Sequence, residues 1–301
     1  MKYLPDQIVR INTKEGVRIF ACTSANLAQT AHVYHQTSPI VTAAMGRALT
    51  AAAMMGIMQK GEKDTVSLQF KGDGPMGLLC AVSDSRARVR GSVANPEVYL
   101  PPNAKGKLDV GGAVGKGTLY VIQDLGLKEP YIGQTPLVNG EIAEDLTYYF
   151  AASEQTPTAV GLGVLVGTDE AVLCSGGFIA QLMPGAEEEA VAKLEQNIAK
   201  ISSVTQLLET GITAAELAAL LSEGFEQAGE AETITPEYYC GCSRERAEQA
   251  LLSVGKEELA SILEEDHKAE LNCPYCDQKY QFSEADLESL LQRASDKESR
   301  Q

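Results

Sequence analysis

The chain of 301 residues is 44% hydrophobic and 22% charged, with 27 Gly and 12 Pro. That composition excludes disordered, collagen-like and low-complexity classes and leaves room for one large domain or two to three smaller ones. With 25 Lys and Arg against 41 Asp and Glu the net charge is −16, and no local basic patch offsets it, so neither a phosphate backbone nor an anionic membrane surface is an expected partner.

Taken in chain order, the first six residues carry no apolar signal core, and a cytoplasmic location is expected, where thiols stay reduced. Ile8, Val9 and Ile11, a polar turn ending at Gly16, and then Val17, Ile19 and Ala21 read as two strands of a hairpin. Ser24 is placed to cap a helix to about residue 36, and Ser38 a longer one ending near Lys60. The apolar stretch 40–58 reaches spanning length, but it is rich in Ala, Thr and Gly. Arg47 near its middle would cost about 2.5–3.5 kcal/mol in a bilayer, so it is expected as a buried helix of a soluble fold.

Strands are expected over 66–70, 78–82 and 117–123, a turn at Gly72-Asp73-Gly74-Pro75, a helix over about 141–153, and two apolar runs at 159–166 and 171–182. Many short strands with few helices predict sheets covered by helices, an α+β fold and not a repeated βαβ array.

Pro184-Gly185 marks a boundary. Beyond it Val191, Leu194, Ile198 and Ile201 form one helical stripe, with Gly211 as its stop. Thr213-Ala214-Ala215-Glu216 is a capping box opening a helix with Leu217, Leu220, Leu221 and Phe225 on one side. Residues 230–301 carry 17 acidic and 8 basic side chains and few large apolar ones. Helices are expected over 243–254 and 256–265, a hairpin over 276–282, and a last helix capped at Ser283 with a frayed tail after Ala294. The expected organisation is a core domain over 1–184, a helical linker over 185–232 and a small zinc-binding domain over 233–301.

Seven cysteines are unevenly placed. Cys22, Cys80 and Cys174 stand alone in apolar runs and read as small buried hydrophobes without an assigned role. Cys240 and Cys242, then Cys273 and Cys276 after a gap of thirty residues, form two pairs. Four thiolates suit one tetrahedral Zn²⁺ at about 2.3 Å from each sulfur. Pro274 stiffens the second turn and Gly241 lets the first bend. Arg244, Arg246 and Lys279 lie close enough in sequence to offset the charge of such a site. His267 is a possible substitute ligand.

Other readings of the four cysteines stand beside this one. Extracellular disulfides lack a signal peptide. A glutaredoxin-like site would suit Cys-Pro-Tyr-Cys, but that fold needs the motif near its start and only 25 residues follow Cys276. On spacing alone, an inert structural knuckle is the commoner use of four cysteines. A switch is equally within reach of the chemistry: zinc-bound sulfur is thiolate, the oxidisable form, and each half is able to close on itself once the metal leaves.

Other motifs do not hold. The stretch 111–118 resembles a phosphate loop, but Gly117 separates Lys116 from Thr118, so a glycine-rich turn before a strand is expected and no ATP site. His32 and His35 have no further ligands in the pattern. No nucleophile stands with a base, and no enzyme activity is expected.

The whole pattern resembles the redox-regulated 33 kDa chaperonin family, the heat shock protein 33 homologues. The strongest part is Cys240-Gly241-Cys242-Ser243-Arg244-Glu245-Arg246 followed by Cys273-Pro274-Tyr275-Cys276 with Tyr280 and Phe282. Supporting segments are Gly72-Asp73-Gly74-Pro75-Met76-Gly77, residues 111–123, Ser153-Glu154-Gln155-Thr156-Pro157, Gly176-Gly177-Phe178 and Gln181-Leu182-Met183-Pro184-Gly185-Ala186, so the likeness covers essentially the full length. It implies a cytoplasmic, ATP-independent holdase that is zinc-bound and largely inactive when reduced. It also implies oxidative formation of Cys240–Cys242 and Cys273–Cys276 disulfides with zinc release, and loss of structure in the linker and C-terminal regions. Dimerisation, binding of unfolding clients and hand-over to ATP-dependent refolding chaperones complete the expectation.

Overall fold

The opening alternation forms the expected hairpin: β1 (Gln7–Asn12) and β2 (Val17–Thr23) pair antiparallel, with Gly16 at φ +80° closing the turn. The structure, a computed structural model, describes residues 4–298. It is α+β, as the sequence pattern predicts, and divides into two units, one ending at Tyr239 and one beginning at Cys240.

In the first unit α1 (Ala25–His35) and α2 (Pro39–Gly56) follow the hairpin. Then come β3 (Thr65–Gly72), β4 (Leu78–Asp84), β5 (Arg88–Val93), the single turn α3 (Val110–Val114), β6 (Gly117–Asp124) and β7 (Tyr131–Pro136). The rest is α4 (Ala143–Ala152), β8 (Thr158–Val166), β9 (Val172–Leu182), α5 (Glu188–Ala199), α6 (Val204–Glu209), α7 (Ala214–Leu221), β10 (Glu232–Ile234) and β11 (Glu237–Tyr238). One sheet runs β10-β1-β2-β9-β8 and the other β11-β5-β4-β3-β6-β7. Every ladder is antiparallel except β11 on β5.

The apolar stretch around Arg47 is α2, packed against strands of both sheets and buried along nearly its whole length. Arg47 pairs with Glu141 at 2.6 Å, which lets a cation sit in this helix. No helix among the described residues is long and apolar enough to cross a membrane. α2 ends at Gly56 and not near Lys60: a Cβ at Gly56 would stand 2.3 Å from Ser83 Oγ and 2.4 Å from the Asp84 carbonyl, so the helix stops where it touches β4.

A second apolar layer covers the other face of the first sheet. Val9, Ile11, Val17, Ile19, Ala21, Phe178 and Ala180 meet Ala190, Leu194, Ala214, Leu217, Ala218 and Leu221 from α5 and α7. The predicted capping box forms: the Glu216 N–H donates to Thr213 Oγ1 (3.2 Å) and the Thr213 N–H to the Glu216 carboxylate (2.8 Å). The stripe expected to run unbroken to Gly211 is interrupted. α5 caps at Lys200, and Ser203 starts α6 by accepting from the Gln206 N–H. The start of α6 lies on β8 at Gly163, where a Cβ would be 2.9 Å from the Thr205 nitrogen.

Three further readings need correction. Ser24 and Ser38 sit at helix starts but do not cap them with their side chains. The Ser24 hydroxyl joins Thr50 (2.7 Å) and Ser175 (2.9 Å) in a buried cluster, and the carboxylate of Asp6 receives the Leu27 N–H (2.7 Å) and the Asn26 N–H (3.0 Å) instead. The glycine-rich stretch at 111–118 includes α3, capped by Asp109, before β6. Helix α10 (Glu284–Glu298), in the second unit, continues past Ala294, and the remainder of the expected tail, 299–301, lies outside the described residues.

Candidate metal centre

The second unit is built from α8 (Arg244–Ser253), α9 (Lys256–Asp266), the hairpin β12 (Ala269–Asn272) and β13 (Lys279–Phe282), and α10. The hairpin arms lie on either side of the second cysteine pair, which occupies the turn between them. The Cys273 N–H donates to the Gln278 carbonyl at 3.0 Å, so the turn is closed by its own backbone. The first pair directly precedes α8, whose start is fixed by Ser243 accepting from the Arg246 N–H at 3.3 Å.

These two local devices bring all four sulfurs together. The Sγ atoms of Cys240, Cys242, Cys273 and Cys276 lie within 4.8 Å of one another, with Cys240–Cys273 at 3.4 Å and Cys242–Cys276 at 3.6 Å. A tetrahedron of sulfurs about 2.3 Å from a central Zn²⁺ has edges of roughly 3.8 Å. The observed spread brackets that value, and the set is all sulfur, so the residues fit zinc and can hold a metal ion. All four are half-buried, which keeps water partly away without closing the site to solutes.

The surroundings bias the sulfurs unequally. Burial pushes the Cys240 thiol up to about 11 and raises Cys276 as well. At Cys242 burial acts in the same direction, but the Tyr280 hydroxyl, donating at 3.1 Å, and the neighbouring sulfurs outweigh it and pull the thiol below its usual value. The same bond pushes Tyr280 up to about 12.

Two of the three cations expected around the site reach the backbone. Arg246 donates to the Gly241 carbonyl at 2.6 Å, bracing the first ligand turn. Arg244 donates to the Gln281 carbonyl at 2.9 Å, pairs with Asp286 at 3.1 Å and lies over the Phe282 ring at 4.5 Å. Lys279 faces Glu270 at 3.9 Å. His267 is engaged by Glu284 at 3.1 Å and is not part of the four-sulfur cluster. The contact of Tyr280 with sulfur is the feature that sequence reasoning did not find. It joins Tyr280 to Cys242, 38 residues apart, so no local spacing signals it.

The apolar support is thin. Ala247, Leu251, Leu259, Phe282, Leu287 and Leu290 form the buried cluster of this unit among the described residues.

The match to known proteins runs through both units. The family model described as Hsp33 protein matches residues 6–283. The chain belongs to the Hsp33 family. A protein of Ruminiclostridium cellulolyticum named 33 kDa chaperonin is 50% identical over 287 residues, covering 95% of this chain and 98% of that one. A 33 kDa chaperonin of Clostridioides difficile is 47% identical over 288 residues, covering 95% and 98%. The crystal structure of the 33 kDa chaperonin (heat shock protein 33 homolog) from Thermotoga maritima superposes with a TM-score of 0.89 at 40% identity, over 97% of this chain and 100% of that one. As an Hsp33-family chain, this protein keeps the resemblance drawn from its motifs over nearly its whole length.

Of the three isolated cysteines expected to be buried in this Hsp33 member, Cys174 is only half-buried. Cys22 and Cys80 are buried, and burial raises the thiols of Cys22 and Cys174.

Proposed function

We propose that the protein is a redox-regulated, ATP-independent chaperone of the holdase type, whose switch is a zinc ion held by Cys240, Cys242, Cys273 and Cys276. The observation that carries this reading is the convergence of four half-buried sulfurs within 4.8 Å in a unit whose buried apolar cluster has few members. Bound zinc would keep the four sulfurs as thiolates and cross-link the segment before α8 to the β12–β13 turn. Structural zinc contributes on the order of 10–16 kcal/mol to the folding of small peptides, more than so small an interior supplies.

Oxidation removes the donor set. Each disulfide takes two electrons from two thiolates, and one hydrogen peroxide accepts them with two protons to give two waters. All six sulfur pairs are in reach, and once order is lost the shortest loops close at least entropic cost, which favours Cys240–Cys242 and Cys273–Cys276. The region from Cys240 on then loses its fold. Helices α5–α7 leave the first sheet and uncover Val9, Ile11, Val17, Ile19 and Phe178, an apolar face suited to non-native chains. Net charge of −16 keeps the opened form dispersed. In this reading the active form is a homodimer in the cytoplasm, and bound clients pass to ATP-dependent refolding chaperones after reduction.

The test is metal release, disulfide mapping and aggregation suppression measured on one sample before and after peroxide with mild heating. The expected result is all three appearing together, with the two local disulfides. Metal release without any gain in suppression would reduce the site to an inert knuckle.

A further inference from the structure

Among the described residues, the segment 232–239 adds a strand to each of the two sheets. β10 lies antiparallel on β1, with Ile234 opposite Ile8, Thr233 opposite Val9 and Glu232 opposite Arg10. β11 lies parallel on β5, with Glu237 opposite Arg88 and Tyr238 opposite Val89. Only Thr235 and Pro236 separate the two. The covering of β1 extends further back: the Ala228 N–H donates to the Asn12 carbonyl at 2.8 Å, and the Lys14 N–H to the Glu226 carbonyl at 2.8 Å.

This strap is short, and side chains fasten it. The Tyr238 hydroxyl accepts from the Gly91 N–H at 3.2 Å, donates to the Gly91 carbonyl at 3.1 Å and lies 3.2 Å from His35 Nε2. Its ring meets Tyr34 edge-on at 5.3 Å, and Arg88 lies over Tyr239 at 4.6 Å. At the other end Arg10 pairs with Glu232 at 2.5 Å. The next residue after Tyr239 is Cys240, so in the sequence the fastening ends one residue before the first of the four clustered cysteines.

We infer that the edge of β1 is a docking edge for extended segments of non-native polypeptide, covered in this form by the chain's own strap. The inference rests on the holdase reading and names where the client backbone binds. An open strand edge pairs through main-chain donors and acceptors, which every polypeptide carries, so it discriminates little between sequences. Side chains along β1 alternate: Ile8 faces the interior between α2 and the sheets, while Val9 and Ile11 face the layer covered by α5 and α7. A strand added beside β1 therefore gains backbone pairing along one edge and, once those helices leave, an apolar floor under every second residue. That the chain's own Thr233 and Ile234 occupy this edge shows that an extended segment fits it.

The test tethers the strap with the full chain otherwise intact. Arg10 and Glu232 are directly opposed, a separation that a disulfide spans. In the Arg10→Cys/Glu232→Cys double variant, peroxide takes two further electrons to close this tether while acting on the zinc-site sulfurs. Reduced double variant with wild-type metal content and amide exchange serves as the folding control, alongside each single variant.

After oxidation the wild type and the Glu232→Cys single variant should suppress aggregation of a heat-unfolding client. The double variant should release its metal equally and lose the suppression. In the oxidised wild type, amides of Ile8 and Arg10 should lose exchange protection and regain it only on addition of a permanently unfolded probe, a reduced and carboxymethylated globular protein. If the tethered variant suppresses as well as wild type, the inference falls while the chaperone reading stands. If those amides are protected again without the probe, the occupant is a second copy and the inference falls. If the oxidised wild type suppresses nothing, the chaperone reading falls and takes the inference with it.

Discussion

The Tyr280 hydroxyl donates to the Cys242 sulfur across 3.1 Å, from the strand that follows the second cysteine pair to a sulfur of the first. The two halves of the site are thus joined by a hydrogen bond as well as by sulfur proximity. Partners of this kind orient ligands and tune their basicity, and their loss typically costs about 10–100-fold in metal affinity. Tyr280→Phe should therefore keep one ion per chain but bind it more weakly by roughly that factor, as read by competition with a chromophoric chelator. An unchanged affinity would mean that the bond is incidental to the site.

Metal removal should act on one unit. A chelator under reducing conditions takes away the cross-link, leaving Leu251, Leu259, Phe282, Leu287 and Leu290 as the main buried apolar support. Amide protection in α9 and α10 should collapse, while β3 and β4, which belong to the much larger interior around α2, keep theirs. Hydrogen exchange read by mass spectrometry separates the two. Retained protection across α9 after complete metal loss would show that side-chain packing suffices.

The layer over the first sheet gives a graded pair of variants. Leu217 is buried between α7 and the β1–β2 face, so Leu217→Ala should cost about 2–5 kcal/mol, whereas Thr213→Ala loses one cap worth about 1 kcal/mol. Binding of an apolar dye to the reduced protein should rise for the first and stay near wild type for the second, with urea midpoints falling in the same order. Equal dye binding by both would mean that α7 is held by something other than this contact.

What was legible beforehand follows the range of the interaction. The sulfur site could be read because its donors fall in two pairs and each pair is positioned by its own turn. The hairpin of β1 and β2 and the Thr213 box are equally local. β7 was not legible: Gly133 and Pro136 interrupt it, and most of its side chains are exposed, so it lacks the apolar alternation that marks a strand. β10 and β11 carry Glu232 and Glu237, have Pro236 between them, and exist because distant edges supply their backbone partners. The cap at α1 misled for the same reason. Ser24 stands in the right place, but its hydroxyl finds Thr50 and Ser175, and Asp6 reaches in from before β1.

That reach of Asp6 has a pH signature. Its carboxyl is 5% exposed, and burial raises it above 3.8 despite the N–H donors of Asn26 and Leu27. A carboxyl raised on folding binds its proton more tightly in the native state than in the unfolded one. Its contribution to stability is therefore full below the unfolded value and is lost as pH rises through the folded value. The stability difference between wild type and Asp6→Asn should be most favourable to wild type in acid and shrink as pH rises. Glu216, lowered by its bonds to Thr213, should do the opposite: its contribution is present above the unfolded value and disappears as pH falls through the folded one. Urea unfolding of wild type, Asp6→Asn and Glu216→Gln over about pH 3–7 reads both slopes. Parallel curves for the two variants would contradict the opposite signs that burial at Asp6 and hydrogen bonding at Glu216 require.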